Sequence, residues 1–185
     1  MEREMDPKVI VNLFGGSGCG KSTCAAYVFS KIKMKGLKTE MVFEYPKDLI
    51  YLTEIEPPFN QAFVFGNQLF KIEQYIKQAD ILIVDSPLPL SIIYNNTPYL
   101  KEYFTKTVMN AFYHFNNLNY YLDNEFSYDN HGRYQTKDIA RESHIRIKEL
   151  LCDYKIPFKT VSANDYDEMI EDIVRLYQKL LSENA

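Results

Sequence analysis

Two textures alternate along this chain. Short, almost wholly apolar runs give way to longer stretches in which apolar residues recur every three or four positions, and then the runs return. Runs of the first kind read as buried strands, and stretches of the second as amphipathic helices. A strand is predicted over residues 8–14 (KVIVNLF). A helix is predicted over 21–35, with Ala25, Val28, Phe29 and Ile32 on one face and Gly36 placed to end it. A second strand follows over 38–43, and a long helix over 57–78 carries the stripe Ala62, Phe65, Leu69, Ile72 and Ile76. The run 80–85 is a third strand that stops at Asp85, with Pro87 closing it. Beyond it the pattern predicts a helix over 99–115, a strand over 118–122, a polar, turn-rich loop over 123–136 and a helix over 137–154. A strand over 158–162 and a helix over 165–181 close the chain.

Apolar strands separated by helices imply a parallel sheet covered on both faces, with right-handed crossovers. The expectation is one α/β domain over residues 1–185, in three layers, with a five-stranded parallel sheet. In such sheets ligands lie at the carboxyl ends of the strands. The residues that follow the strands are 15–22, Glu44, Asp85 and Asp123.

The first of these stretches has a chemistry of its own. Gly15-Gly16-Ser17-Gly18-Cys19-Gly20-Lys21-Ser22, followed by Thr23, fits G-x-x-x-x-G-K-[ST] without mismatch, between a predicted strand and a predicted helix. Glycines let successive backbone N–H groups turn inward around an anion, and the helix amino terminus adds unpaired donors and partial positive charge. Lys21 would reach the β- and γ-phosphates and Ser22 would hold Mg²⁺. This resembles the P-loop nucleoside-triphosphate-binding fold, with residues 15–23 as the nucleotide cradle.

Two carboxylates stand at strand ends. Asp85 has the place of an acid that approaches the Mg²⁺ or its waters, so Ser22 and Asp85 form the expected metal pair. Glu44, in EYPKD, has the place of a general base that accepts the proton of an attacking hydroxyl. Which of Glu44 and Asp85 is the base stays open, and Asp48 is a weaker candidate for the same pocket. Cations are scarce: the five arginines are Arg3, Arg133, Arg141, Arg146 and Arg175. Arg133 in the polar loop and Arg141 on the following helix are expected to reach over the nucleotide from a lid spanning about 123–148. Lys137, Arg141, His144 and Lys148 share a face on the helical pattern.

Composition narrows the class further. With a net charge of −4, nothing in the charge balance calls for non-specific nucleic-acid binding. Three scattered cysteines, Cys19, Cys24 and Cys152, fit neither a disulfide framework nor a zinc site. Free thiols fit a reducing interior, so a cytoplasmic protein is expected, and no apolar run approaches the length of a membrane span. Fifteen tyrosines and twelve phenylalanines, with no tryptophan, are read as core and surface filling.

A closer resemblance rests on several stretches in order: NLFGGSGCGKST, EYPKDL, NQAFVFGNQ, VDSPLPLSIIY, GRYQT and YKIPFKTVSAN. Together they resemble the small P-loop kinases related to the nicotinamide riboside kinase domain of NadR-type proteins, and related phage-encoded kinase-like ATPases. The resemblance implies ATP with Mg²⁺ as donor and a hydroxyl on a nucleoside-like small molecule as acceptor. It places Glu44 and Asp85 beside that acceptor, Gln61 and Gln68 near its pocket, and Arg133 on the lid. One departure is Ser86-Pro87 after Asp85, where many nucleoside kinases carry an arginine. Two alternatives stand beside this expectation: a phage-type kinase acting on 5-hydroxymethyl pyrimidine in DNA, and an ATP-hydrolysing switch protein. No membrane partner is expected, and a homo-oligomer is left open.

Overall fold

The computed structural model of the protein describes residues 8–53, 58–123, 137–162 and 165–183. Strands β1 (Val9–Phe14), β2 (Thr39–Val42), β3 (Ile81–Val84), β4 (Asn117–Leu122) and β5 (Lys159–Val161) form one sheet in the order β2-β3-β1-β4-β5. Every pairing is parallel. This is the five-stranded, three-layer P-loop NTPase architecture that the pattern implied. The helices are α1 (Lys21–Met34), α2 (Tyr45–Thr53), α3 (Gln61–Tyr75), α4 (Leu90–Ile93), α5 (Glu102–Tyr113), α6 (Lys137–Asp153) and α7 (Tyr166–Glu183).

Alternation within β1 explains the layers. Val9, Val11 and Leu13 point to one side, where they pack with Val28 and Ile32 of α1 and Ile170 and Ile173 of α7. Ile10 and Phe14 point to the other side, toward the buried stripes of α3, α5 and α6. The one polar residue in β1, Asn12, is buried, and its amide donates to Oδ1 of Asn117 (2.8 Å) and of Asn119 (3.0 Å) on β4. Those bonds satisfy the buried amide and tie the two strands together. On the far side of β4, Tyr120 donates its hydroxyl to the buried Asp172 of α7 at 2.8 Å, and Lys159 and Arg175 each pair with the same carboxylate at 2.6 Å.

Local signals set the helix ends. Gly36, at φ +82°, closes α1 in the left-handed conformation that a side chain disfavours. The long helix starts later than residue 57, at Gln61, because the Asn60 side chain accepts the N–H groups of Ala62 and Phe63 and caps it there. Helices α2 and α4 add to the elements that the hydrophobic pattern predicts. The second is four residues long and shows no period. The first carried a readable start, with Pro46 in its opening turn and Asp48 just after.

Register places the site. Asn12 of β1 and Val42 of β2 both pair with Val84 of β3, and Leu122 of β4 pairs with Val161 of β5. The glycine loop, Glu44, Asp85 and Asp123 therefore leave the sheet along one edge. Of the lid expected over 123–148, residues 124–136 lie outside the described residues. Residues 137–148 open α6, in which Ala140, Ile147, Leu150 and Leu151 are buried. No helix among the described residues is long and apolar enough to cross a membrane.

Candidate functional site

The loop between β1 and α1 turns on three glycines. Gly15, Gly18 and Gly20 have φ of +141°, +92° and +88°, a region in which only glycine is comfortable. Ser17, Gly18, Gly20, Lys21, Ser22 and Thr23 line a cleft of about 360 Å³. Gly15, Gly16 and Cys19 lie behind that surface. A methyl on Gly15 would meet the Cys19 sulfur at 2.5 Å, and Cys19 itself is buried. Burial pushes the Cys19 thiol up, and that of Cys24 up to about 12, so both stay protonated. The Gly16 N–H donates to Nδ1 of His144 at 3.0 Å, toward α6 rather than into the cleft.

Two side chains meet where α1 faces the end of β3. Ser22 donates its hydroxyl to Asp85 Oδ2 at 2.7 Å. Asp85 is fully buried, and its other oxygen, Oδ1, has no hydrogen-bond partner among the described residues. A buried carboxylate oxygen left unpaired is costly unless a cation answers it. A hydroxyl beside a carboxylate is the hard oxygen set that Mg²⁺ prefers. The residues present therefore fit a magnesium ion carried on a nucleotide. Lys21 bends over the loop and donates to the carbonyl oxygens of Gly15 (2.9 Å) and Gly16 (2.8 Å). Burial works against its charge, but the groups around it, the Asp85 and Glu44 carboxylates among them, outweigh burial and hold its pKa above the ordinary lysine value. It remains a cation at any working pH.

Apolar and aromatic side chains line the same cleft, with Tyr51, Phe59, Val64, Leu90 and Tyr94 among them. Gln61 is the buried amide there, donating to the Phe59 carbonyl at 3.3 Å. Glu44 lines the cleft, and Lys47, three residues on, lies 3.5 Å from its carboxylate and donates to Ser22 Oγ at 3.0 Å. Lys47 is not among the residues that the sequence singles out; its place three residues after Glu44, with Pro46 in the opening turn of α2, is the signal available.

The structure does not gather every expected residue. Gln68 is buried but does not line the cleft: its Oε1 accepts the Tyr45 N–H (3.2 Å) and its Nε2 donates to the Ser86 carbonyl (3.0 Å). It clamps the start of α2 to the turn after β3. Asp48 is also absent from the lining and pairs with Lys71 of α3. Arg141 is exposed on α6 and does not line the cleft. Arg133 lies outside the described residues. The supposed basic face of α6 divides instead. His144 turns inward against the loop, while Lys148 lies over the Tyr121 ring at 5.3 Å. Burial lowers the His144 pKa against the opposing pull of Asp123, whose carboxylate is 3.5 Å from Nε2. An imidazole whose Nδ1 accepts an N–H must be unprotonated at that nitrogen.

Comparison with known proteins bears on the fold. A family model described as an AAA domain matches residues 10–168. No curated protein matches the chain. Among solved structures, thymidylate kinase from Ehrlichia chaffeensis superposes with a TM-score of 0.60 at 10% identity, covering 92% of this chain and 99% of that one. The structure of APE1195 superposes with a TM-score of 0.52 at 13% identity, covering 96% and 98% of the two chains. At such identities the two structures speak to the fold.

Proposed function

The chain belongs to the AAA domain family, and from that premise we propose that it is an ATP-dependent phosphotransferase. It moves the γ-phosphate of Mg-ATP to a hydroxyl of a nucleoside- or nucleotide-like small molecule. One observation carries this reading. Asp85 holds an unpartnered buried oxygen beside Ser22, and Ser22 lines a cleft whose other lining residues include a second carboxylate, Glu44, and the rings of Tyr51, Phe59 and Tyr94. A site that only grips a nucleotide has no need of that second carboxylate.

Each residue has a separate task. The backbone of the loop from Ser17 to Ser22 and the amino end of α1 hold the phosphates. Ser22 and Asp85 hold Mg²⁺, which when bound neutralises phosphate charge. Lys21 reaches the β- and γ-phosphates. Glu44 takes the proton of the acceptor hydroxyl, and Gln61 offers its amide to the acceptor against the rings of Tyr51, Phe59 and Tyr94. Arg133 is proposed to supply further charge to the group in flight.

The test is ADP release from Mg-ATP with a panel of nucleosides, nucleotides, nicotinamide riboside and 5-hydroxymethyl pyrimidine DNA. The expected result is release that depends on a small-molecule acceptor. Dependence on the modified DNA would move the substrate to a polymer. Release with water alone, unchanged by every acceptor, would replace the transferase by an ATP-driven switch.

A further inference from the structure

Transfer of a phosphoryl group needs positive charge on the group in flight, yet Arg141 does not line the cleft and Arg133 lies outside the described residues. The structure offers another cation. We propose that Lys47, on the first turn of α2, contacts the transferring γ-phosphoryl group of ATP and is a catalytic residue of this site. The proposal rests on the phosphotransferase reading above and deepens it.

The juxtaposition is specific. Lys47 Nζ donates to Ser22 Oγ at 3.0 Å and stands 3.5 Å from Glu44 Oε1. Ser22 marks the metal and terminal-phosphate end of the nucleotide cradle, and Glu44 faces the acceptor. A cation between them stands where the old P–O bond breaks and the new one forms. Lys47 also lines the cleft together with Lys21, and its side chain keeps 38% of its surface accessible, so its head can move by an ångström or two toward a ligand. Its backbone is held in place. Gln68 bonds the Tyr45 N–H on one side and the Ser86 carbonyl on the other, which ties the first turn of α2 to the turn that follows Asp85.

A plain ion pair with Glu44 explains less. At 3.5 Å, with both partners partly exposed, that pair stabilises little. It also does not account for the bond to Ser22, a hydroxyl already directed at Asp85.

The step balances without any bond to Lys47. The acceptor O–H gives its proton to the Glu44 carboxylate, and its oxygen forms the new bond to the γ-phosphorus. The bond from that phosphorus to the β,γ-bridging oxygen breaks, and its electron pair leaves on ADP. Lys47 donates hydrogen bonds to the γ-phosphoryl oxygens throughout and loses no proton.

The test compares Mg-ATP with Mg-ADP by calorimetry, in the unaltered protein and in Lys47→Ala, Lys47→Met and Lys47→Arg. Lys47→Met keeps the apolar stem in case truncation disturbs α2. Loss of a charged contact to the γ-phosphate weakens ATP about tenfold in the Ala and Met variants. ADP affinity stays within about twofold, and Lys47→Arg retains the preference for ATP. With Mg-ADP and aluminium fluoride, a mimic of the phosphoryl group in flight, the Ala and Met variants form no stable complex, whereas the unaltered protein does. Once an acceptor is known, kcat falls about a hundredfold in both. Equal weakening of ATP and ADP, or no change in either, overturns the proposal and leaves Lys47 as a partner of Glu44. Failure of the unaltered protein to bind Mg-ATP overturns the phosphotransferase reading itself, and the role of Lys47 with it.

Discussion

Gly16 occupies a position that the P-loop pattern leaves free, and the structure gives a different reason for its being glycine. A methyl group built there would lie 2.7 Å from the Ala140 carbonyl oxygen, 2.9 Å from the His144 Cβ and 3.2 Å from its Cα. Two of those atoms belong to the backbone of α6, which cannot rotate aside. Relief requires α6 to retreat by about half an ångström or more, since unstrained contacts of this kind lie near 3.5 Å. The helix resists through Ile147, Leu150 and Leu151 in the core and through the Tyr121 hydroxyl, which donates to the His144 carbonyl at 3.0 Å. Overpacking of this sort costs about 1–3 kcal/mol, and loosening the Gly16–His144 hydrogen bond adds about 1 kcal/mol. The smaller unfolded-state entropy of alanine returns roughly 0.4–1 kcal/mol. Gly16→Ala is therefore expected to lose about 2 kcal/mol, which for a chain of this length lowers Tm by ~4–8 °C. Gly66→Ala is the internal control. Gly66 lies in α3, its added methyl meets nothing within 4 Å, and the change should raise stability by about 1 kcal/mol. Thermal and urea unfolding of both variants, without nucleotide, measure the difference. A Gly16→Ala protein that melts within about a degree of the unaltered one would refute the steric account.

Other expectations follow from the same contacts. His144→Ala strands the Gly16 N–H and should cost about 1–3 kcal/mol near neutral pH. Because burial depresses the His144 pKa in the folded state, its contribution is present in full above the unfolded value of about 6.5 and is lost as pH falls through the folded value. Stability measured across that range should show an acid-side decline that is shallower in His144→Ala; parallel curves would sink the assignment. Glu44→Gln should lower kcat by roughly two to four powers of ten while Mg-ATP binds as before, read by acceptor-dependent ADP release beside calorimetry. An unchanged kcat would make Glu44 a bystander. Asp85→Asn removes the charge that answers the cation, so the extra Tm that Mg²⁺ adds to ATP binding in the unaltered protein should vanish; a retained magnesium effect would place the metal elsewhere.

The sequence determined what neighbouring residues decide among themselves. Apolar runs and periodic stripes set the five strands and the longer helices, and the glycine spacing between β1 and α1 required a loop of positive φ with Lys21 and Ser22 at its end. Asp85 was legible because the strand before it is apolar to its last residue. Tertiary structure decided everything that depends on which element lies beside which. The strand order brings β3 next to β1, and that adjacency puts Asp85 on Ser22. His144 reads as one more basic residue on a helix, yet it meets the Gly16 N–H across 128 positions of chain. Gln68, expected at the acceptor, clamps the start of α2 to the turn after β3, and Lys47, hinted at only by its spacing from Glu44, stands beside both Ser22 and Glu44. Propensity, period and φ are properties of a short segment and are written in it. A hydrogen-bond partner or a steric limit belongs to a pair of segments, and it exists only once packing has brought them together.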